Sequence, residues 1–294
     1  MDRRDFLRLM GGTAVLSLEF TRLGGHLVRA QETTKLSGLG LPDLKVTLTD
    51  AGYQISPAQI PAGWTLVTLD NQQSAGDNSA DIMLLPPGET PDSILASLAT
   101  PAAAPPAWGY QTTFASSPWT AAGTSAQAVI LLTAGDWMVF NPEAPLSPAS
   151  LTVTKGDAAA ATPPALTVNQ EVELQEFSFL GLEKPLSAGQ QIWKVTNTGH
   201  QPHLMVLNQL PDGTTQAQFM DMVNGMMSAT PPPGGQGPAG PPAAGGCATL
   251  SPEQSLYLAL DLATGTYGAI CFFPDKDTGA PHALMGMVQV FTVK

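Results

Sequence analysis

The residues best able to do chemistry gather in the second half of this sequence. Beyond residue 30 three histidines remain, His200, His203 and His282, and both cysteines, Cys247 and Cys271, share their half. The order is fixed: Asn197-Thr-Gly-His-Gln-Pro-His203-Leu-Met-Val-Leu207, then Gly265-Thr-Tyr267, Cys271, ten residues, His282, four residues and Met287. Two imidazoles, one thiolate and a thioether are the ligand set of a type 1 copper site, where soft sulfur favours Cu(I) and a trigonal His₂Cys plane carries a long axial Met. Simpler readings stay open. Cys271 can instead form a disulfide with Cys247 in an oxidising compartment, and a histidine at a loop end can be a hydrogen-bonded core residue. His200 reads as a solvated loop residue.

Other chemistries find less support. Thioethers as dense as those of Phe219-Met-Asp-Met-Val-Asn-Gly-Met-Met227 bind Cu(I). The same run places Met222 and Met226 four apart, with Phe219 and Val223 on a neighbouring stripe, which predicts a short amphipathic helix on a sheet. No Gly-x-Ser-x-Gly, His-Glu-x-x-His or phosphate-cradling glycine loop occurs. Glu171 and Glu173 alternate as a solvated strand edge would.

The elements that must position these residues are short strands. At 294 residues the chain has room for two domains at about 150 residues each. Charged residues are 12%, with 29 Gly and 27 Pro, a composition that suits turn-rich β structure. Apolar or alternating runs at 44–49, 64–69, 126–132, 192–196, 203–207, 256–262 and 287–293 have the spacing of a sandwich or barrel. Pro/Ala/Gly segments at 100–107 and 231–246 read as long loops, and one at 158–164 as a linker.

Charge narrows the partners. The formal net charge is −12, and all five arginines (Arg3, Arg4, Arg8, Arg22, Arg29) fall in the first 30 residues. Residues 31–294 carry 7 Lys against 21 acids, or −14. Phosphate contacts and anion recognition both lean on arginine, so the composition argues against nucleic acid and anionic substrates as partners. A cationic partner, a small neutral ligand or a metal remains.

Residues 1–30, with Arg3-Arg4-Asp5-Phe6-Leu7 ahead of a modest apolar stretch and Val28-Arg29-Ala30 at its end, resemble a twin-arginine export signal. The resemblance implies a prokaryotic protein working in the periplasm or outside the cell. Glu19 and Arg22 interrupt the apolar run, so no transmembrane anchor is expected once the signal is cleaved.

An internal repeat sets the expected architecture. Pro61-Ala-Gly-Trp-Thr-Leu-Val-Thr-Leu-Asp-Asn71 aligns with Ser187-Ala-Gly-Gln-Gln-Ile-Trp-Lys-Val-Thr-Asn197 at an offset of 126. At nearby offsets Asp81–Leu85 lies beside His203–Leu207, Ser125–Asn141 beside Ser255–Cys271, and Leu151–Lys155 beside Val290–Lys294. We read tandem copies of one all-β sandwich at 40–155 and 165–294, joined by a linker at 156–164.

The second copy resembles the cupredoxins, the plastocyanin and azurin superfamily. Asn197-x-Gly199…Pro202-His203-x-x-Val206 is similar to the strand that supplies the first histidine there. Gly265-x-Tyr267…Cys271…His282-x₄-Met287-Val288 is similar to the loop and last strand that supply the other ligands. The resemblance implies two tandem Greek-key β-sandwiches and one type 1 copper. Cys271 would be its thiolate, His203 and His282 its imidazoles and Met287 its axial ligand. It also implies an electron carrier rather than a catalyst, with a redox partner of unknown identity whose basic surface would match the acidic chain. His282, among Pro281, Ala283, Leu284 and Met285, would be the electron's exit. A copper-free cupredoxin-fold protein that binds a partner, sequesters copper or serves structure is the alternative. Three departures stand out. The Cys-to-His loop is long, as in copper nitrite reductases, but Ile270 replaces the histidine with which those enzymes bridge to a second copper. Leu204 stands where plastocyanins commonly have Asn. The first copy has Asp81 and Asn141 at the His203 and Cys271 positions, so no ligand survives in it.

Overall fold

The computed structural model describes residues 36, 38–99, 106–142, 146–228 and 243–294. The expected signal segment and most of two Pro-rich segments lie outside the described residues.

The regular elements of the described residues are strands except for two α-helices and three 3₁₀ turns. Its strands are β1 (Asp43–Thr49), β2 (Gly52–Ser56), β3 (Gln59–Pro61), β4 (Gly63–Asn71), β5 (Asp77–Asn78), β6 (Asp81–Leu84), β7 (Thr120–Ala121), β8 (Thr124–Leu132) and β9 (Gly135–Phe140). They continue as β10 (Ala149–Thr154), β11 (Gln170–Gln175), β12 (Ser178–Leu180), β13 (Gly189–Asn197), β14 (His203–Leu210), β15 (Ala243–Leu250), β16 (Ser255–Leu262), β17 (Gly265–Ile270) and β18 (Val288–Val293). The helices are α1 (Pro91–Ala99) and α2 (Gln216–Ser228).

All seven runs predicted as strands fall on strands, the last of them starting at Val288 rather than at Met287. In β1, Leu44, Val46 and Leu48 point inward and alternate with Asp43, Lys45 and Thr47, the period-2 pattern of a half-buried strand. β4 is almost continuously buried because both its faces are covered. It lies within an eight-stranded sheet ordered β12-β11-β13-β16-β8-β4-β1-β2. The seam is the antiparallel β8–β16 pair, with Leu256 opposite Ile130 and Leu258 opposite Ala128. Four-stranded sheets β3-β10-β9-β6 and β15-β14-β17-β18 complete the layers. One buried cluster joins them all, from Leu44, Leu69 and Trp137 to Trp193, Leu207 and Phe291.

The aligned segments fall on β4 and β13, β6 and β14, β8 and β16, β9 and β17, and β10 and β18. Asn71 and Asn197 close β4 and β13 alike: each is buried, donates Nδ2 to two carbonyls, and accepts the N–H two residues on. α1 lays Ile94 against Met83, Phe114 and Phe140. α2 lays Phe219, Val223 and Met227 against Val206, Ile270 and Val288. The expected helix therefore forms, but successive i+4 steps bury Phe219, Val223 and Met227 and leave Met222 at the surface.

Two loop expectations change. Trp64 Nε1 donates to Ala161 O at 3.1 Å and Leu166 and Val168 cover Trp64 and Tyr257, so the 158–164 segment and the residues after it pack on the long sheet. The end of the 231–246 segment enters β15, which Gly245 and Gly246 disguised as loop. Gly246 has φ +123°, and a Cβ there would lie 2.0 Å from Met205 O. Residues 112–119 cover the free edge of β15 through bridges Ala115–Leu250 and Pro118–Cys247.

Asp81, at the position matching His203, ties the halves together by accepting the Thr249 N–H at 3.0 Å. Burial pushes its carboxyl up to about 6, although bonds from Thr249 pull the other way. An acid raised above its unfolded value of about 3.9 loses stability as pH climbs from about 4 through 6. Asp81→Asn keeps a carbonyl for Thr249 and removes the charge. At ~1.4 kcal/mol per pH unit the variant should gain up to about 3 kcal/mol above pH 7 and nothing at pH 4, read by thermal unfolding at both pH values.

Candidate metal centre

Three of the four sequence-predicted residues open or flank strands of the β15-β14-β17-β18 sheet, and the fourth opens a 3₁₀ turn between two of them. His203 opens β14, Cys271 follows β17, His282 opens the 3₁₀ turn His282–Met285, and Met287 precedes β18. All four are fully buried. Main-chain bonds gather three of them: Cys271 N–H donates to Met287 O at 3.2 Å, and Met287 N–H to His282 O at 3.0 Å. The β14–β15 ladder has an irregularity between His203 and Met205 that leaves Leu204 out of register. Its N–H donates instead to Cys271 Sγ at 3.4 Å.

The long Cys-to-His spacing is an excursion that closes on itself. His282 N–H donates to Phe273 O, Asp275 N–H to Ala280 O, and Pro274 bridges Pro281. Inside the excursion Asp275 Oδ1 accepts Thr278 N–H and Oγ1–H at 2.8 Å each and Asp277 N–H at 3.2 Å, while Oδ2 accepts Gln201 Nε2–H at 3.0 Å. Burial would raise this carboxyl, but these donors outweigh it and hold it down at about 2. The first half reaches the same loop: Tyr110 OH donates to Pro274 O at 3.0 Å, and its ring meets Phe273 edge-on.

The structure brings His203, Cys271 and His282 together, with one donor atom of each within 4.8 Å of the others. The Nδ1 atoms of the two histidines are 3.0 Å apart, and Cys271 Sγ is 3.9 Å from His203 Nδ1 and 3.6 Å from His282 Nδ1. Metal–imidazole and metal–thiolate bonds of about 2.0 and 2.3 Å, set on a trigonal plane, put nitrogens ~3.5 Å apart and nitrogen ~3.7 Å from sulfur. The two nitrogen–sulfur sides match that plane, and the nitrogens, at 3.0 Å, sit closer together, which corresponds to a narrower nitrogen–metal–nitrogen angle around one ion. Burial holds both imidazoles down at about 4, so their lone pairs are available at neutral pH. Burial pushes the Cys271 thiol up to about 12, so ligation must displace its proton. Met287 is buried and tied by its main chain to Cys271 and His282, which puts its backbone next to the group.

Both cysteines are free: Cys247 lies on β15 opposite Met205. His200 is exposed, as expected of a loop residue. Glu171 and Glu173 are exposed on β11, but β12 rather than β11 forms the sheet edge. His282 does not reach the surface; the rings of Phe177 (centroids 4.9 Å apart) and Phe273 (5.9 Å) cover it. Pro281 and Ala283 are buried too, which leaves Leu284 and Met285 as the exposed apolar residues of the turn. Sequence reasoning missed Glu176, whose Oε1 lies 3.4 Å from His203 Nε2. It comes from the turn after β11, remote in sequence, and no local pattern marks it. Among the described residues no helix is long and apolar enough to cross a membrane.

No family model and no curated protein matches the chain by sequence. Solved structures similar to it include a dithionite-reduced auracyanin from the photosynthetic bacterium Roseiflexus castenholzii, at 23% identity over 42% of this chain and 94% of that one, TM-score 0.29. The "blue" copper protein auracyanin A from Chloroflexus aurantiacus matches at 21% identity over 42% and 96%, TM-score 0.27. A multicopper oxidase from Campylobacter jejuni matches at 10% identity over 86% of this chain and 64% of its own, TM-score 0.22. At these TM-scores the likenesses define neither fold nor function, which rest on the chain's own geometry.

Proposed function

We propose that this chain is an exported cupredoxin-like electron carrier, built as two tandem sandwiches, in which His203, Cys271, His282 and Met287 hold one type 1 copper ion. The observation that carries the reading is the buried triangle of two imidazole nitrogens and a cysteine sulfur, sized for one ion. When bound, copper would supply a one-electron couple between Cu(II) and Cu(I).

The chain's own residues would do the rest. Main-chain bonds among Cys271, His282 and Met287 fix the donors in advance, so little rearrangement accompanies a change of charge. The rings of Phe177 and Phe273 keep water from His282. Leu284 and Met285 give a partner an apolar landing beside the buried imidazole, and the acidic surface would steer a basic one. In the first half Asp81 and Asn141 serve contacts instead of ligation: Asp81 holds Thr249 and Asn141 donates to Asn78. The export reading rests on residues 1–30.

Titration of the full chain with Cu(II) tests the proposal. One equivalent should bind with an intense visible thiolate-to-copper band, and a reversible one-electron wave should appear in voltammetry. A chain that binds no copper, or binds it without that band, overturns the reading in favour of a copper-free module.

A further inference from the structure

Resting on the copper reading, we propose that Glu176 is a positioning residue that fixes His203 in its Nε2–H tautomer, so that Nδ1 faces the metal with its lone pair, and that its charge favours the oxidised state. Glu176 Oε1 lies 3.4 Å from His203 Nε2, and that buried nitrogen has no other partner among the described residues. The contact is longer than a standard N–H···O bond of about 2.9 Å, but the carboxylate is held in place. Oε1 also accepts the main-chain N–H of His200 at 2.5 Å and of Gln201 at 2.7 Å.

The space between carboxylate and ring is kept open by Gly199. A Cβ there would lie 2.7 and 2.9 Å from the two Glu176 oxygens and 2.9 Å from His203 Nε2. A neutral imidazole has a single ring proton, and it goes to the nitrogen that faces an acceptor. Nε2 faces an anion, whereas Nδ1 faces His282 Nδ1 at 3.0 Å, a contact that the metal-free chain satisfies with His282 as the donor and the His203 lone pair as the acceptor. The carboxylate, the imidazole and the ion would then form the outer-sphere relay that orients a metal-bound histidine and raises its basicity. A negative charge just beyond the ligand also stabilises Cu(II) over Cu(I).

Two variants separate the tautomer from the charge. In Glu176→Gln the carbonyl stays at the Oε1 position, because His200 and Gln201 N–H still need it, so Nε2–H keeps its acceptor while the charge is gone. Glu176→Ala removes both. Long-range ¹H–¹⁵N NMR of the full chain without metal should show His203 as Nε2–H in the wild type and in Glu176→Gln, and as a mixture in Glu176→Ala. With copper, both variants should shift the ratio of Cu(I) to Cu(II) affinity towards Cu(I) by about tenfold. Glu176→Ala should in addition bind Cu(II) 10–100-fold more weakly. An Nδ1–H tautomer in the wild type, an unchanged tautomer in Glu176→Ala, or an unchanged affinity ratio in Glu176→Gln overturns the proposal. If the NMR result holds but the wild type shows no thiolate–copper band, the copper reading has failed and the positioning role has not.

Discussion

A Cys271→Ser variant should lose the thiolate-to-copper band completely and keep its fold. Sulfur is the soft donor of the set, and a serine hydroxyl neither ionises at neutral pH nor binds Cu(I). The main-chain bonds of residue 271, to Met287 O and from Ala283 N–H, do not depend on the side chain. A buried hydroxyl next to Leu204 N–H costs about 1–3 kcal/mol if poorly bonded, too little to unfold a domain of this size. Copper affinity should fall by more than the 10–100-fold that losing an outer-sphere partner costs. Cu(II) titration followed by visible absorption, with thermal unfolding alongside, reads both effects. Retention of the band would exclude Cys271 as the thiolate.

The second large effect is expected at Asp275→Ala. Four donors converge on this one buried carboxylate, three from its own loop and one from Gln201 beside His203. Hydrogen bonds to a charged group contribute about 1.5–3 kcal/mol each, and the Gln201 amide, itself buried, would lose its acceptor. We expect a net loss of about 4 kcal/mol, a drop of roughly 10 °C in thermal midpoint at about 2–4 °C per kcal/mol. Because the loop that returns His282 to Cys271 is loosened, copper should also dissociate faster. The sign with pH is set by a carboxyl held at about 2. Its contribution is present above about 4 and fades as pH falls towards 2, so wild type and variant should converge in acid. A variant equally destabilised at pH 2 and pH 7 would contradict this role for Asp275.

Much of the fold was readable because buried strands write themselves as apolar or alternating runs. The aligned segments could be found because β4 and β13 each have a glycine, Gly63 or Gly189, at the strand start and Asn71 or Asn197 at its end, where backbone geometry restricts the choice. β15 was hidden because its close approach to β14 demands small residues, and Gly245-Gly246 in a Pro/Gly-rich stretch looks like loop. The β8–β16 seam has no local signal at all, since apolar strands pair with many partners. His203, Cys271, His282 and Met287 were legible as donor types in order. Their convergence was not, because ten residues separate Cys271 from His282 and only the pinched loop held by Phe273 and Asp275 removes that distance. Glu176 was invisible for the same reason: a turn 27 residues before His203 in sequence meets it through the parallel β11–β13 pair.

Whether His203, Cys271 and His282 converge on one copper ion is decided by copper K-edge X-ray absorption of the full chain loaded with one equivalent. One sulfur at about 2.3 Å and two imidazole nitrogens at about 2.0 Å are expected around the ion. A shell of nitrogen and oxygen with no sulfur scatterer would contradict that convergence.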